Sequence, residues 1–381
     1  MSRGGLVCRF PVLAIRDFRL LLAERLLAPA SVGFSMVGVS FAVLRATGSA
    51  TDLSYVLAAQ IAPALVFALI GGVAADRFRP QRVILAANLL MAAGEGTFGI
   101  LVLTGRPPLW AMIGLEALTG TGIAVFYPAS NALLPRVVPL GMLQEASAIS
   151  RLAMNTGQMS GAAAAGLLVA AAGPGWALVL CGIGMVGTVP MLLSIRATAI
   201  GSGTTEGAAT GLFRELREGW SEFRSHTWLW VIVAQFCVVL MAWYGAFSVL
   251  GPVVAKEHLG GPAAWGAITA ADAFGLGVFV EIMMVQWTVA LARNIPPDKL
   301  ARVSSYDVLG SVMAMPVGAL IAGPLGAAIG ISAAQYAAAA AIVLASALAL
   351  IPRDIRTMRI GEPGLPPVPD EPAAELEAAV R

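Results

Sequence analysis

Residues 175–195 read GWALVLCGIGMVGTVPMLLSI and carry no charged side chain. A helix of about 20 apolar residues crosses the roughly 30 Å of hydrocarbon in a bilayer, and this stretch has that length. Runs of the same kind recur along most of the 381 residues, of which 58% are hydrophobic and 12% are charged. A soluble domain carries about 25% charged residues. The composition therefore indicates a membrane protein.

The apolar runs predict ten transmembrane helices, because a lipid-exposed backbone must satisfy its own hydrogen bonds and no alternating barrel pattern occurs. The predicted helices span residues 18–44, 53–74, 83–104, 109–133, 143–171, 175–195, 228–252, 264–291, 306–328 and 332–351. The predicted fold class is thus all-α and polytopic, with six helices in a first bundle and four in a second.

Basic residues between the runs predict the orientation. With the N-terminus placed in the cytoplasm, 19 of the 24 Lys and Arg residues fall on the inner side. Three fall on the outer side, namely Arg45, Arg106 and Lys256. Loops rich in Lys and Arg remain cytoplasmic, so both termini are predicted to be cytoplasmic. The basic residues are not massed on one face, and nucleic-acid binding is therefore not predicted.

Polar stretches divide the chain into four parts. Residues 1–195 form the six-helix bundle, 196–227 a cytoplasmic linker, 228–352 a shortened bundle and 353–381 a disordered, proline-rich tail. In the linker, apolar side chains between residues 212 and 223 share one face opposite charged ones. This pattern predicts an amphipathic helix that lies along the inner leaflet and joins the two bundles.

The two halves of the chain resemble each other in sequence. A shorter shift of the sequence along itself aligns Gly161 with Gly318, and a longer shift aligns Gly48 with Gly260. The two shifts differ by roughly 55 residues, which is the length of two membrane crossings with their loops and is missing from the second half. The seam is predicted near residues 275–283, where one helix stands in for three and the later helices keep their orientation. Paired repeats around a central site are a common plan of transporters.

Four motifs recur in one family of membrane proteins. Gly72–Leu85 reads GVAADRFRPQRVIL, Gly120–Pro135 reads GTGIAVFYPASNALLP, Gly157–Gly161 is a GxxxG, and Trp287–Asp307 reads WTVALARNIPPDKLARVSSYD. Together they resemble the major facilitator superfamily, and within it the drug:proton antiporter subgroup that includes macrolide and siderophore exporters. The resemblance covers residues 16–357 except for the missing block.

The first motif resembles the loop between helices two and three of that superfamily, roughly GxxxDRxxRR. The matching positions are Gly72, Asp76, Arg77 and Arg82. Pro80 and Gln81 stand where basic residues are usual. The resemblance implies a gating loop whose contacts break when the carrier opens inward. The charges alone fit an ordinary positive-inside loop equally well.

Small residues in helix five predict a close approach to a neighbouring helix. They are Gly157, Gly161 and Gly166, and small residues at such spacing let two transmembrane backbones come close together. The antiporter subgroup often has Gly-Pro in this region, whereas this chain has Ser160 followed by Gly161.

Ionisable residues inside the predicted helices indicate transport, because charge in hydrocarbon is costly and usually faces a cavity. The candidates are Glu24, Glu95, Glu116, Arg151, Asp272 and Glu281. We hypothesise that Arg151 pairs with Glu24, Glu95 or Glu116 and that a carboxylate carries the coupling proton. Alternatively, Glu24 and Arg25 extend to the interface and Glu95 is satisfied by packing. Asp272 and Glu281 are nine residues apart, about 900° of helix, and so face opposite sides.

The sequence favours a monomeric, proton-coupled exporter of hydrophobic or amphipathic small molecules in a bacterial inner membrane. Its predicted partners are a small-molecule substrate, protons and the lipid bilayer. No cofactor or metal is predicted, since the chain has no Walker A loop and Cys8, Cys181 and Cys237 are isolated. The missing block leaves a non-transporting paralogue or binding subunit as the alternative. An enzyme has little support, because no cluster of nucleophile and base occurs.

Overall fold

A computed structural model describes residues 11–75, 80–195, 220, 223–295, 303, 306–307, 310–352 and 355. Over these ranges the chain forms helices and no strands. Most of the predicted amphipathic linker and nearly all of the predicted tail lie outside them.

All ten predicted segments are helical. Their bounds are α1 Arg16–Ala46, α2 Ala50–Ala75, α3 Pro80–Thr104, α4 Leu109–Val137, α5 Leu143–Ala172, α6 Pro174–Ser194, α7 Thr227–His258, α8 Pro262–Asn294, α9 Met315–Ile329 and α10 Ile331–Ala349. The largest departure from the predicted bounds is in α9, where residues 313–314 form a turn ahead of Met315.

Two helices contain interruptions that the apolar runs do not reveal. In α6 the helix breaks at Thr188, and in α7 residues Gly245–Leu250 form a wider π-helical turn. Each interruption precedes a proline, Pro190 and Pro252 respectively. Proline lacks an N–H and its ring crowds the preceding turn, which accounts for both departures from regular α-helix.

Seven helices are long and apolar enough to cross a membrane by length and composition. They are α1, α3, α4, α6, α7, α10 and the span Gly310–Ile329, which contains α9. That count covers the described residues, and the side chains of residues 64–75 in α2 are not among them. The protein is therefore an all-helical, polytopic membrane protein.

Glycine turns at one end of the molecule repeat between the two halves. Gly173 joins α5 to α6 with φ +94°, and Gly330 joins α9 to α10 with φ +90°. Gly48 (φ +71°) and Gly260 (φ +87°) follow α1 and α7 in the same way. The first pair is related by the shorter sequence shift and the second by the longer one, so both shifts correspond to a repeated backbone conformation. We name this the turn end; the loop end, opposite, carries the start of α1 and the α4–α5 connection.

Helix packing also follows the repeat. In the first bundle α1 packs on α5 and α6, and in the second α7 packs on α9 and α10. The bundles meet through the pairs α2–α9 and α5–α8. By the sequence shifts α8 corresponds to α2 and α9 to α5. The α2–α9 contact is therefore the counterpart, under the repeat, of the α8–α5 contact. Within the described chain, α3 and α4 have no separate counterparts in the second bundle.

Helix α8 runs without a break through the predicted seam. Near the turn end Gly266 lies against Gly166 of α5. Near the loop end Trp287 packs edge to face on Trp228 of α7, with ring centroids 5.8 Å apart. One helix thus contacts the first bundle at one end and the loop-end core of the second bundle at the other.

The bundles share buried side chains only at the turn end of the described structure. There Leu53 and Val56 of α2 belong to one apolar cluster with Val249 and Leu250 of α7. At the loop end each bundle has its own cluster, the first around Phe18 and the second around the Trp228 region. Among the described residues, the two bundles therefore share a buried cluster at the turn end and have separate clusters at the loop end.

Candidate functional site

A cavity of about 540 Å³ lies in the loop-end half of the first bundle. Its wall is formed mainly by α1, α4 and α5, with single residues from α3 and α6. The described lining combines apolar and aromatic side chains with amides, hydroxyls and two arginines. The polar and charged members are Arg25, Tyr127, Asn131, Ser147, Arg151, Asn155 and Gln158.

Arg25 is buried in α1, with 4% of its surface exposed. Its Nη2 donates a hydrogen bond to the carbonyl oxygen of Ser130 in α4, 2.7 Å away. Its Nε has no hydrogen-bond partner within the described structure. The alternative that Arg25 extends to the interface is therefore wrong, because the guanidinium crosses between two helices inside the bundle.

Arg151 lies on α5 in the same cavity wall and is exposed to it. Arg25 and Arg151 thus line the same cavity. The hypothesised pair between Arg151 and a buried carboxylate is not formed here: among the described residues, Glu24, Glu95 and Glu116 bond to amides or a hydroxyl instead.

Three carboxyl groups lie in the interior of the first bundle and are not part of the described cavity lining. Glu24, Glu95 and Glu116 are each at most 1% exposed. The Asn88 amide donates to Glu24 Oε1 at 3.5 Å, Ser35 Oγ donates to Glu95 Oε1 at 2.5 Å, and the Gln60 amide donates to Glu116 Oε2 at 2.7 Å. The second oxygen of each carboxyl has no partner in the part of the chain that the structure describes.

Helical spacing brings these polar groups together. On α3, Asn88 precedes Glu95 by seven residues, which is about 700° and returns to nearly the same face. On α1, Ser35 follows Glu24 by eleven residues, about 1,100°, again on one face. The Asn88 amide also donates to Thr188 Oγ1 of α6 at 2.8 Å, at the break in that helix. The sequence analysis did not predict three of these partners, Ser35, Gln60 and Asn88. For Asn88 and Ser35, the helical spacing from Glu95 and Glu24 could have indicated a shared face.

Other predicted site residues lie elsewhere. Asp272 is half-buried on α8, away from the cavity lining, and the Glu281 side chain lies outside the described residues. Of the predicted gating loop, Asp76 and Arg77 also lie outside them, and Gly72 is near the end of α2. Arg82 is exposed in the first turn of α3. Its neighbour Gln81 donates to the carbonyl oxygen of Ile195 after α6, at 2.7 Å.

The glycines of α5 lie where helices approach closely. A Cβ added at Gly157 would overlap the carbonyl oxygen of Leu26 in α1, and one added at Gly161 would overlap that of Ala30. Gly166 faces α8 instead, where its Cβ would lie 2.8 Å from Gly266 Cα. The first two glycines thus set the contact within the first bundle, and the third sets the contact between bundles.

A sequence model of the Major Facilitator Superfamily matches residues 26–280, more than half of the chain. The chain belongs to this superfamily. The family and the helical fold indicate a transporter rather than an enzyme.

Superfamily members that export drugs and a siderophore are similar in sequence. Macrolide efflux protein A of Streptococcus pyogenes is 23% identical over 229 residues, covering 59% of this chain and 55% of that protein. The multidrug efflux pump Tap of Mycolicibacterium fortuitum is 31% identical over 160 residues, covering 40% and 39%. The enterobactin exporter EntS of Shigella dysenteriae serotype 1 is 29% identical over 182 residues, covering 47% and 43%. The chain spans about half the length of the curated relatives it matches.

Solved structures of two transporters share the fold. The nucleoside transporter NupG superposes with a TM-score of 0.67 at 11% identity, covering 88% of this chain and 98% of that one. A POT family transporter in complex with 5-aminolevulinic acid gives a TM-score of 0.67 at 12% identity, covering 89% and 96%. At these identities the likeness concerns the fold alone.

Proposed function

We propose that this superfamily member is a proton-coupled exporter of hydrophobic or amphipathic small molecules. The observation that carries the proposal is a cavity of about 540 Å³ on the loop-end side of a bundle that also buries three carboxyl groups. Small-molecule sites commonly have volumes of about 300–1,000 Å³. A non-transporting subunit is not favoured, because the similar curated proteins are efflux pumps and exporters.

In this proposal the loop end faces the cytoplasm. The distribution of Lys and Arg supports that orientation, with both termini cytoplasmic and ten crossings divided between residues 1–195 and 228–352. The exporter would work as a monomer in a bacterial inner membrane. The contact at the turn end then closes the outer side, and the conformation is the one that loads substrate from the cytoplasm.

The three carboxyl groups lie at successive depths, which suits a proton pathway. Counted along their helices at 1.5 Å per residue, Glu24, Glu95 and Glu116 lie about 12, 22 and 32 Å from the loop end. A buried carboxylate with one hydrogen bond is costly, and a proton on the unpartnered oxygen removes the charge. Protonation would therefore let each side chain stay buried while the bundles move, and we assign Glu95 and Glu116 as the coupling residues.

Dye accumulation in an efflux-deficient bacterial host tests this proposal. Cells that express the chain should accumulate less of at least one dye from a panel of anionic, neutral and cationic fluorophores, and a protonophore should abolish the difference. Glu116→Gln and Glu95→Gln should lose the difference as well, because the amide cannot release a proton. Glu257→Gln is the matched control, since that side chain is 51% exposed near the end of α7. Equal accumulation of every dye with and without the chain would refute export.

A further inference from the structure

A second cavity, of about 570 Å³, lies at the turn end on the boundary between the two bundles. One wall comes from α1, α5 and the start of α6, and the other from the end of α7 and the start of α8. We name it the turn-end pocket, and it shares no described lining residue with the loop-end cavity. The connections at this end all lie within the described chain, at residues 46–50, 104–109, 172–174, 258–262 and 329–331.

Two basic side chains, one from each bundle, line the turn-end pocket. They are Arg45 in the last turn of α1 and Lys256 in the last turn of α7. The described lining has neither Asp nor Glu. Glu257, next to Lys256 in sequence, lies beside His258 instead, with 3.9 Å between its Oε2 and the ring Nε2. The pocket therefore has a positive charge on both of its walls.

Arg45 has its hydrogen-bonding capacity free. Its side chain is exposed and has no hydrogen bond or ion pair to any other residue of the described chain. A Cβ added at Gly173 would lie 3.0 Å from its Nη1, which places the guanidinium beside the start of α6. The start of a helix carries partial positive charge, so it favours an anion there and not a cation alone. The planar fork of an arginine matches two oxygens of one phosphate.

Lys256 is held on the opposite wall by the other bundle. Its Nζ donates to the carbonyl oxygen of Leu44 in α1 at 3.3 Å. An ammonium has three N–H donors, and this bond uses one of them. Since Lys256 has no further partner among the described residues, two donors remain for a ligand.

Two helix starts add to the positive potential of these side chains. Helix α6 begins at Pro174 and α8 at Pro262, and both prolines line the pocket. The residue before each is a glycine, which has no side chain to cap the helix. The first N–H groups of each helix are thus left without a side-chain acceptor, and such groups commonly bind phosphate oxygens.

The floor of the turn-end pocket is apolar. Phe41 and Val169 are buried, and both belong to the cluster around Trp265 between the bundles. An apolar floor lowers the local dielectric constant and strengthens the attraction between the basic groups and an anion. Sites for small organic molecules have volumes of about 300–1,000 Å³, so this pocket has room for a phosphate that carries an organic group.

We propose that the turn-end pocket binds a phosphate ester, with its phosphate between Arg45 and Lys256. The phosphate belongs to the headgroup of an anionic phospholipid or to a soluble phosphate compound, which share this chemistry. Because the two side chains belong to different bundles, the bound phosphate ties the bundles together and stabilises the conformation that is closed at the turn end. The site is independent of the proposed export function and of the nature of the exported substrate.

The test measures protection of a cysteine in the pocket. Val169→Cys is made in a chain whose three natural cysteines have been replaced, because Val169 lines the pocket. The chain is placed in nanodiscs of phosphatidylcholine, in nanodiscs where phosphatidylglycerol replaces part of that lipid, and in phosphatidylcholine nanodiscs with glycerol 3-phosphate in solution. The rate of reaction with an uncharged polar maleimide should fall about fivefold, which is the factor 1 + [L]/Kd at about four times Kd. Protection by phosphatidylglycerol identifies a lipid headgroup, and protection by glycerol 3-phosphate identifies a soluble phosphate.

Three variants locate the protection. Arg45→Gln should weaken phosphate binding about tenfold through the loss of a charged hydrogen bond, which leaves a protection factor of about 1.4. Lys256→Gln should lose protection in the same way and should also raise the unprotected rate, since it removes the bond to Leu44. Arg106→Gln is the matched control, because this exposed arginine lies at the same end but outside the pocket lining. It should keep the full protection.

The unfolding temperature of the chain with its natural cysteines provides an independent measurement. It should rise with the phosphate that protects the cysteine, and Arg45→Gln should abolish the rise. No protection and no rise with either phosphate would overturn the site. Protection that survives Arg45→Gln, or that Arg45→Gln and Arg106→Gln reduce equally, would overturn it as well. Protection in a chain that exports no dye would refute export and leave the phosphate site standing.

Discussion

The contact between Gly166 and Gly266 offers a direct test of how the two bundles move. A Cβ added at Gly266 would lie 2.6 Å from Gly166 Cα and 2.7 Å from the carbonyl oxygen of Ala162. Ordinary van der Waals contact begins at 3.4 Å. The distance from the new Cβ to Gly166 Cα must therefore increase from 2.6 to 3.4 Å, which requires α8 to shift by about 0.8 Å. Both opposing atoms belong to backbone and cannot rotate away.

Overpacking of this size costs about 1–3 kcal/mol. The cost applies to the conformation in which the turn end is closed. It is absent from a conformation in which α5 and α8 have separated. Gly266→Ala should therefore shift the equilibrium toward the state open at the turn end by about 5- to 150-fold. The cavity is untouched, because Gly266 is not among its lining residues.

The assay is cysteine labelling of the purified protein. Val169→Cys is introduced after Cys8, Cys181 and Cys237 have been replaced, since Val169 is 5% exposed and borders the turn-end pocket. The rate of reaction with a polar maleimide should rise at least about fivefold in the Gly266→Ala background. Gly275→Ala is the matched control on the same helix, because an added Cβ there meets nothing within 4 Å. Equal labelling rates in the two backgrounds would refute the reasoning.

Three further predictions concern stability, each read as the unfolding temperature in detergent. Gly120→Ala should lower the unfolding temperature by several degrees, because the new Cβ would overlap the carbonyl oxygen of Gln60. Gly114→Ala is the control on the same helix. Its new Cβ meets no atom within 4 Å, so this variant should raise or preserve the unfolding temperature. Asn88→Leu should cost about 2 kcal/mol, because it removes the amide that bonds both Glu24 and Thr188. Gly330→Ala should cost about 1 kcal/mol from backbone strain alone, since φ is +90° and the space around it is open.

Each of these stability predictions has an outcome that contradicts it. Equal unfolding temperatures for the two α4 variants would mean that α2 and α4 can separate at little cost. An Asn88→Leu protein as stable as the wild type would show that the amide bonds add no net stability. A stabilised Gly330→Ala protein would show that the turn does not hold its positive φ.

The sequence predicted the helices well because a single physical requirement, the length of an apolar run, decides them. The seam and the missing block stay predictions; in the described chain one helix, α8, lies at the predicted seam. The breaks at Thr188 and Gly245–Leu250 were missed, although Pro190 and Pro252 were visible. Proline in a transmembrane helix is compatible with an unbroken helix as well, so its presence alone does not predict an interruption.

The partners of the buried charges could not be predicted in the same way. Glu24, Glu95 and Glu116 were correctly singled out as polar groups in apolar helices, but their partners come from α1, α2 and α3, far away in sequence. For Arg25 the sequence left an interfacial position open, because the residue lies near the start of α1. Which face a side chain occupies depends on the packing of the neighbouring helix, and hydropathy contains no such information.

The unbroken course of α8 has a mechanical consequence. Its 33 residues form a rod about 50 Å long. If it pivots near its middle by about 10°, each tip moves by about 4 Å, and the two tips move in opposite directions. Near one tip, Gly266 contacts the first bundle, and near the other, Trp287 packs on α7. Separation of the bundles at the turn end therefore brings them closer together at the loop end.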